Sequence, residues 1–153
     1  MLVGEIRGPW TINSERIGYE NPWMCVTEYD VTRPDGKPGL YGVVTPKHLA
    51  LAILPIDTHG YVTLVGQYRF ALKRYSWEIP EGGGHLDGDP QACAARELRE
   101  ETGLLASDWR EIMRLDLSNC ITDERAIGYL ATGLTEGEAD PDDTEVLETR
   151  RLH

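Results

Sequence analysis

One segment of the chain carries complete signals for both ends of a helix. In PQACAARELREETGL, residues 90–104, the preceding Asp89 is a favoured N-cap residue and Pro90 suits the first helical position. Gly103 suits the left-handed residue that follows a helix. The segment therefore predicts a helix over residues 90–102, against which the rest of the fold must pack.

Most of the remaining chain is strand-like, with β-prone or apolar runs bounded by turn residues. The predicted strands are residues 22–32, 40–46, 48–56, 61–68, 76–80, 109–118, 125–133 and 144–152. The first four are expected to form two successive hairpins, and the fifth leads into a glycine-rich loop. Many strands with one helix predict an α+β fold, an α/β/α sandwich around a mixed β-sheet.

Size, charge and cysteine content limit the classes of function. The 153 residues suit one domain, and 26 acidic against 15 basic residues, a net charge of -11, disfavour binding to nucleic-acid polymers. With no apolar run long enough to span a membrane and no signal-like start, we expect a cytoplasmic protein without a membrane partner. Three scattered cysteines are expected to be reduced, and the four histidines show no ligand spacing.

Three glutamates are concentrated on the predicted helix. Glu97, Glu100 and Glu101 cover an arc of roughly 100°, and like charges at this spacing destabilise a helix by a few tenths of a kcal/mol per pair. A divalent cation would compensate, and carboxylate oxygens suit Mg²⁺, which also takes phosphate oxygens. The alternative interpretation is a solvated helix face whose charge is balanced by Arg96 and Arg99.

Glycines 82–84, just before the helix, remove side chains where backbone must approach an ion or a phosphate. The whole stretch GGGHLDGDPQACAARELREETGL resembles the Nudix box: Gly, five residues, Glu, seven residues, then Arg-Glu-apolar-any-Glu-Glu-any-Gly-apolar. Its second half matches at every fixed position, from Arg96 to Leu104. Gly88 departs from the pattern, because the box has a glutamate there that serves as a structural partner for the arginine.

That departure has two expected consequences. Either Asp87 or Asp89 substitutes as the partner of Arg96, or Arg96 is held less firmly. The position of the helix is then affected more than metal binding.

The resemblance extends over most of the chain. LVGQYRFA and SWEIPEGGG upstream, and SNCITDERAIGYLA downstream, are similar to the Nudix branch that hydrolyses ADP-ribose and other nucleoside diphosphate sugars. It implies a Nudix-like fold in one domain, residues 1–153, with an N-terminal β-hairpin region at 1–46 and a catalytic core at 47–153. It also implies a homodimer that uses the N-terminal strands. Asn119 stands where this branch often has proline, so nucleoside diphosphate sugars other than ADP-ribose remain alternative substrates.

The resemblance also implies a metal site on the predicted helix. Glu97 and Glu101 would ligate Mg²⁺, or Mn²⁺, together with the backbone carbonyl of Glu81. Glu100 would contribute a further ligand or a contact to the catalytic water, and is counted with the catalytic residues.

Two residues outside the helix complete the implied site. Arg69 would contact a substrate phosphate, although pairing with a surface carboxylate is equally compatible with its sequence position. Glu124, in the loop before the predicted strand 125–133, matches a position that serves as catalytic base in some members. A loop carboxylate can approach bound substrate, whereas a glutamate that ligates a metal is a poor base.

These expectations favour Mg²⁺-dependent hydrolysis of a nucleoside diphosphate sugar, such as ADP-ribose, to a nucleoside monophosphate and a sugar phosphate. A non-catalytic nucleotide-sugar sensor of the same fold is the first alternative, motivated by Gly88 and by the absence of a segment after the last predicted strand. A nucleoside triphosphate pyrophosphohydrolase, which would release inorganic pyrophosphate, is the second.

Overall fold

The computed structural model describes residues 4–140 and 146–153, which contain eleven strands and one helix. In chain order they are β1 Glu5–Arg7, β2 Trp10–Glu20, β3 Met24–Thr32, β4 Pro38–Pro46, β5 His48–Pro55, β6 Val62–Arg69, β7 Arg74–Glu78, β8 Glu81–His85, α1 Pro90–Thr102, β9 Leu104–Asp116, β10 Arg125–Glu136 and β11 Glu148–Leu152. The α+β class with a mixed sheet, predicted from the sequence, is confirmed, and its helical part in the described residues is α1.

The chain forms two compact units. The N-terminal unit comprises residues 1–47 and 116–124, and the core unit comprises residues 48–115 and 125–153. The expectation of one domain over the whole chain stays a prediction.

An antiparallel sheet in the order β1-β2-β3-β4 forms most of the N-terminal unit. The predicted hairpin of β3 and β4 is confirmed, with Tyr29 opposite Tyr41 in its register. Strands β1 and β2 were not predicted, because most β2 side chains are half-buried or exposed and the strand lacks a clear apolar alternation. The segment 116–124 joins this unit through the Tyr41 hydroxyl, which donates to the carbonyl of Cys120 at 2.7 Å.

The core unit contains a mixed sheet in the order β8-β5-β10-β9 and an antiparallel sheet in the order β11-β6-β7. Strand β5 runs parallel to β10 and antiparallel to β8. Its residues alternate between half-buried and buried, and Leu51 and Ile53 belong to the hydrophobic core. The core therefore lies on one face of β5, where α1 contributes Ala94 and Leu98.

The predicted second hairpin is wrong. Strands β5 and β6 belong to different sheets and meet at one isolated bridge between Ile56 and Val62. The turn between them is well formed, because the Asp57 carboxylate accepts hydrogen bonds from the backbone N–H groups of His59 and Tyr61. The turn reverses the chain, but β5 pairs with β10, which lies more than 70 residues further along. Local periodicity does not reveal a partner at that distance.

The helix prediction is confirmed at both ends. The Asp89 carboxylate accepts hydrogen bonds from the backbone N–H groups of Gln91 and Ala92, at 3.0 and 3.4 Å. Gly103 has a φ of 72°, and its N–H donates to the Arg99 carbonyl at 2.8 Å. The helix is thus terminated by local contacts that the sequence specifies.

Three other expectations differ from the structure. The glycine-rich stretch predicted as a loop is strand β8, since it pairs with β5 from Glu81 to His85. Strand β9 begins directly after Gly103 and is longer than predicted. The last predicted strand is found as β11, and residues 144–145 of that prediction lie outside the described residues.

No helix in the described part of the chain is long and apolar enough to cross a membrane. All three cysteines are free thiols, as predicted.

Candidate functional site

The acidic helix α1 packs directly on the glycine-rich strand β8. A Cβ atom built on Gly84 would lie 3.0 Å from Leu51 Cδ1 and 3.4 Å from Cys93 Cβ. The absence of a side chain at Gly84 therefore lets the helix approach the strand closely. This approach brings the carboxylates of α1 to the backbone of β8.

Glu101 is buried, with only 5% of its surface exposed. Its Oε2 accepts a hydrogen bond from the backbone N–H of Glu81, the first residue of β8, at 3.1 Å. Burial of a carboxylate is costly unless it is hydrogen-bonded or paired with a cation. The solvated-face interpretation is therefore wrong for Glu101, and the side chains of Glu97 and Glu100 are also only 14% and 25% exposed.

Glu97 occupies the space directly beside Gly82. A Cβ atom on this glycine would lie 2.2 Å from the Glu97 carboxyl carbon and 2.4 Å from its Oε2. No side chain larger than hydrogen fits at residue 82 while Glu97 keeps this position. The opening glycine of the Nudix box thus makes room for the first glutamate of its helix.

Arg96 balances much of the carboxylate charge. Its guanidinium donates to Glu97 Oε1 at 2.5 Å, to Glu100 Oε2 at 2.6 Å and to the carbonyl of Gly83 at 3.2 Å. Partial burial alone would lower the pKa of Arg96, but the two glutamates outweigh it and raise that pKa. Asp89, one of the expected substitutes for the missing box glutamate, instead caps the helix.

A second ion-pair cluster lies at the start of β8 and consists of Arg69, Glu78 and Glu81. The Arg69 guanidinium donates to Glu78 Oε2 at 2.8 Å and also to Glu81 Oε1. Burial raises the pKa of Glu81 despite the nearby arginine. Burial acts in the same direction on Glu78, but the hydrogen bond and charge of Arg69 reverse it, so the pKa of Glu78 is lowered.

This Arg69 cluster connects to the helix through Glu81, whose backbone N–H holds Glu101. Glu78 was not assigned a role from the sequence. The only sequence feature that could have indicated a role was an acidic residue within the predicted strand 76–80, three residues before Glu81. The surface-pairing alternative for Arg69 is the arrangement found in the structure, with partly buried partners.

The donor set at α1 and β8 fits a hard divalent cation. Three carboxylates lie within one five-residue helical segment beside a strand whose Gly82 leaves space for them. In the described residues, no three acidic, histidine or cysteine side chains form a group, or cage, that could hold a metal ion by themselves. Mg²⁺ typically uses one or two carboxylates with water and substrate phosphates, so such a cage is not required.

Glu124, the predicted catalytic base, belongs to the N-terminal unit, whereas the other predicted site residues belong to the core unit. It is half-buried, and its backbone N–H donates to the Thr122 hydroxyl at 3.0 Å. Its carbonyl accepts from the N–H of Leu117 at 2.9 Å. These contacts hold the backbone at the end of the loop that precedes β10.

Fold and site together define a class: an α+β protein whose helix presents buried carboxylates to a glycine-rich strand. Residues 46–153 match the NUDIX domain, and residues 10–44 match the nucleoside diphosphate sugar hydrolase N-terminal domain. The chain therefore belongs to the Nudix family, as its sequence motif indicated.

Individual relatives agree with this assignment. An ADP-ribose pyrophosphatase from Mycobacterium tuberculosis is 46% identical over 131 residues, which cover 82% of this chain and 60% of that protein. An ADP-ribose pyrophosphatase from Bacillus subtilis is 34% identical over 126 residues, covering 80% of this chain and 67% of that protein. The chain thus spans about 60% of the length of the first relative.

Among solved structures, the crystal structure of an ADP compounds hydrolase superimposes with a TM-score of 0.82. The match covers 93% of this chain and 77% of that chain at 21% sequence identity. At this identity the likeness supports the fold, and the predicted Nudix-like fold is confirmed.

Proposed function

We propose that this protein hydrolyses the pyrophosphate bond of a nucleoside diphosphate sugar, such as ADP-ribose, to a nucleoside monophosphate and a sugar phosphate. The observation that carries the proposal is the buried Glu101 carboxylate, held by the backbone of β8 beside Glu97. On a helix with a purely structural role, this charge would lie in water, because burying a carboxylate is costly. The two relatives described as ADP-ribose pyrophosphatases support the substrate class.

Glu97, Glu101 and the backbone carbonyl of Glu81 would hold the divalent cation, with Glu100 as a further ligand or a contact to water. Mg²⁺ is the favoured ion and Mn²⁺ the alternative, because the donors are hard oxygen atoms. When bound, the cation neutralises phosphate oxygens and polarises the phosphoryl group. Arg96 supplies positive charge to the same carboxylates and keeps the helix segment on β8 through the Gly83 carbonyl.

Arg69 is proposed to bind a substrate phosphate. Its guanidinium lies at the start of β8, where Glu78 and Glu81 orient it. A guanidinium presents several donors in one plane, so it can bind phosphate while keeping one carboxylate partner. Glu78 and Glu81 would then act as positioning residues for Arg69.

Hydrolysis requires a water oxygen to form a new bond to phosphorus while the bridging P–O bond breaks and its electron pair leaves with the departing phosphate. Glu124 is proposed to take the proton from that water. Its backbone contacts with Thr122 and Leu117 hold the loop, and its carboxylate has no assigned metal role. General bases of this kind contribute about 10²- to 10⁴-fold to the rate.

A homodimer is proposed to use the N-terminal strands. Ile17 and Tyr19 of β2 and Trp23 of the β2–β3 turn are more than half exposed and lie within seven residues of one another, so this end of the unit offers apolar surface to a partner chain. Light scattering of the wild-type protein and of Trp23→Ala would measure the oligomeric state. A cytoplasmic location stays a prediction.

The test is product analysis with a panel of nucleoside diphosphate sugars and nucleoside triphosphates, with Mg²⁺, with Mn²⁺ and with chelator. We expect cation-dependent release of a nucleoside monophosphate and a sugar phosphate from a nucleoside diphosphate sugar. Release of inorganic pyrophosphate from triphosphates would favour the triphosphate hydrolase instead. Binding of a nucleotide sugar without any turnover would favour the non-catalytic sensor.

A further inference from the structure

Two histidines that are far apart in the sequence face each other across the β5–β8 ladder. His48, the first residue of β5, is paired in register with His85, the last residue of β8. Their imidazole ring centroids are 5.9 Å apart, with an interplanar angle of 51°. Residues directly opposite each other in antiparallel strands lie on the same face of the sheet, so both rings project to one side.

The surroundings of the pair are open. His85 is exposed and His48 is half-buried. A Cβ atom on Gly83 would lie 3.5 Å from His48 Cβ, and a Cβ atom on Gly88 would lie 3.4 Å from His85 Cβ. Because both of these neighbours are glycines, no side chain from them restricts the two rings.

From this geometry we propose that His48 and His85 form a binding site for a borderline transition-metal ion such as Zn²⁺. Two imidazole nitrogens at about 2.1 Å from one tetrahedral ion are roughly 3.4 Å apart. Rings with centroids 5.9 Å apart can bring nitrogens to that separation by rotation about their side-chain bonds, since the outer torsion of histidine is broad.

Water fills the remaining coordination positions. In the described residues, no third histidine, cysteine or acidic side chain completes a group with this pair. A site with two protein ligands is open, and its affinity is lower than that of a structural zinc site with four ligands. The ion connects the start of β5 to the end of β8 and so stabilises their pairing.

The histidine pair differs in chemistry and position from the carboxylate site. Imidazole nitrogen favours Zn²⁺, Ni²⁺ and Cu²⁺, whereas Mg²⁺ favours oxygen. His85 is four residues from Glu81 on the same strand, a distance of about 13 Å along β8. The two sites can therefore be occupied together, and this proposal does not depend on the proposed hydrolysis.

The test is calorimetric titration of the untagged protein with Zn²⁺ in excess Mg²⁺, supported by Cu²⁺ electron paramagnetic resonance to detect nitrogen ligands. We expect one ion per chain and hyperfine splitting from two imidazole nitrogens. Removing a residue that only hydrogen-bonds to a metal ligand lowers metal affinity by about 10- to 100-fold. His85→Gln and His48→Gln each remove a ligand itself, so each should weaken Zn²⁺ binding by at least that factor.

His59→Gln is the matched control, because this exposed histidine lies in the turn before β6 and outside the pair. It should bind Zn²⁺ as the wild type does. Wild-type affinity in both His48→Gln and His85→Gln would overturn the proposal, as would the absence of binding to the wild type. Displacement of the Zn²⁺ by Mg²⁺ would also overturn it, by placing the ion at the glutamates.

Discussion

The space beside Gly82 offers the sharpest test of the carboxylate site. In Gly82→Ala the new Cβ would lie 2.2 Å from the Glu97 carboxyl carbon, whereas unstrained carbon contacts lie at about 3.5–4.0 Å. The Glu97 carboxylate must therefore withdraw by more than about 1 Å. A misplacement of about 1 Å can cost roughly 100-fold in rate, so we expect kcat/KM for ADP-ribose with Mg²⁺ to fall by about that factor.

The fold should survive this substitution. Gly82 does not have a left-handed φ, and the atoms in the way belong to the end of a flexible side chain. Replacing glycine by alanine at a compatible position restricts the unfolded chain and stabilises by about 0.4–1 kcal/mol, which offsets part of the disturbance to Glu97. Thermal unfolding should therefore change by only a few degrees, while Mg²⁺ affinity measured by calorimetry decreases.

Gly83→Ala is the matched control on the same strand. Its Cβ would lie 3.5 Å from the nearest atom, His48 Cβ, which is an ordinary contact. This variant should keep nearly wild-type hydrolysis and Mg²⁺ affinity. The reasoning would be refuted if Gly82→Ala kept the wild-type rate and affinity, or if Gly83→Ala lost as much of both.

Three further predictions address other residues. Glu101→Gln should abolish turnover while circular dichroism shows an intact fold, because it removes the buried charge but keeps an oxygen that can accept from Glu81 N–H; wild-type turnover would contradict the metal assignment. Glu124→Gln should lower kcat by about two to four orders of magnitude in a steady-state assay, and an unchanged kcat would exclude it as the base. The lowered pKa of Glu78 means that its pairing with Arg69 stabilises the fold above the ordinary pKa of 4.5 and that this contribution is lost as pH falls through the folded pKa. The difference in melting temperature between wild type and Glu78→Gln should therefore be steady near neutral pH and shrink below about pH 4.5, and a difference that persists in acid would contradict the pairing.

Features that depend on neighbouring residues were predictable. Both ends of the helix were predicted correctly, because Asp89 at its start and Gly103 after Thr102 satisfy its terminal backbone groups through contacts within a few residues. The second half of the Nudix motif is equally local, so the family could be identified before any contact was known. Strands β3 and β4 were found because apolar residues and a turn follow one another directly.

Apart from the β3–β4 hairpin, the features that depend on strand pairing were not predicted. A run of glycines has low strand propensity, yet residues 82–84 form β8 because β5 supplies a partner and α1 needs a close approach. Strand β2 mixes polar and apolar residues without a regular alternation, and its position between β1 and β3 is decided by backbone pairing. The predicted β5–β6 hairpin is wrong because β5 is paired on both sides with strands from distant segments, β10 and β8.

The sequence by itself determined the capped helix, the three glutamates on it and the family to which they belong, since all of these follow from spacings of a few residues. Tertiary structure alone decided that Glu101 is buried on the backbone of β8, that Glu78 and Glu81 hold Arg69, and that His48 meets His85. The physical reason is register: pairing between strands distant in the chain determines which side chains meet, and only the packed core selects that register.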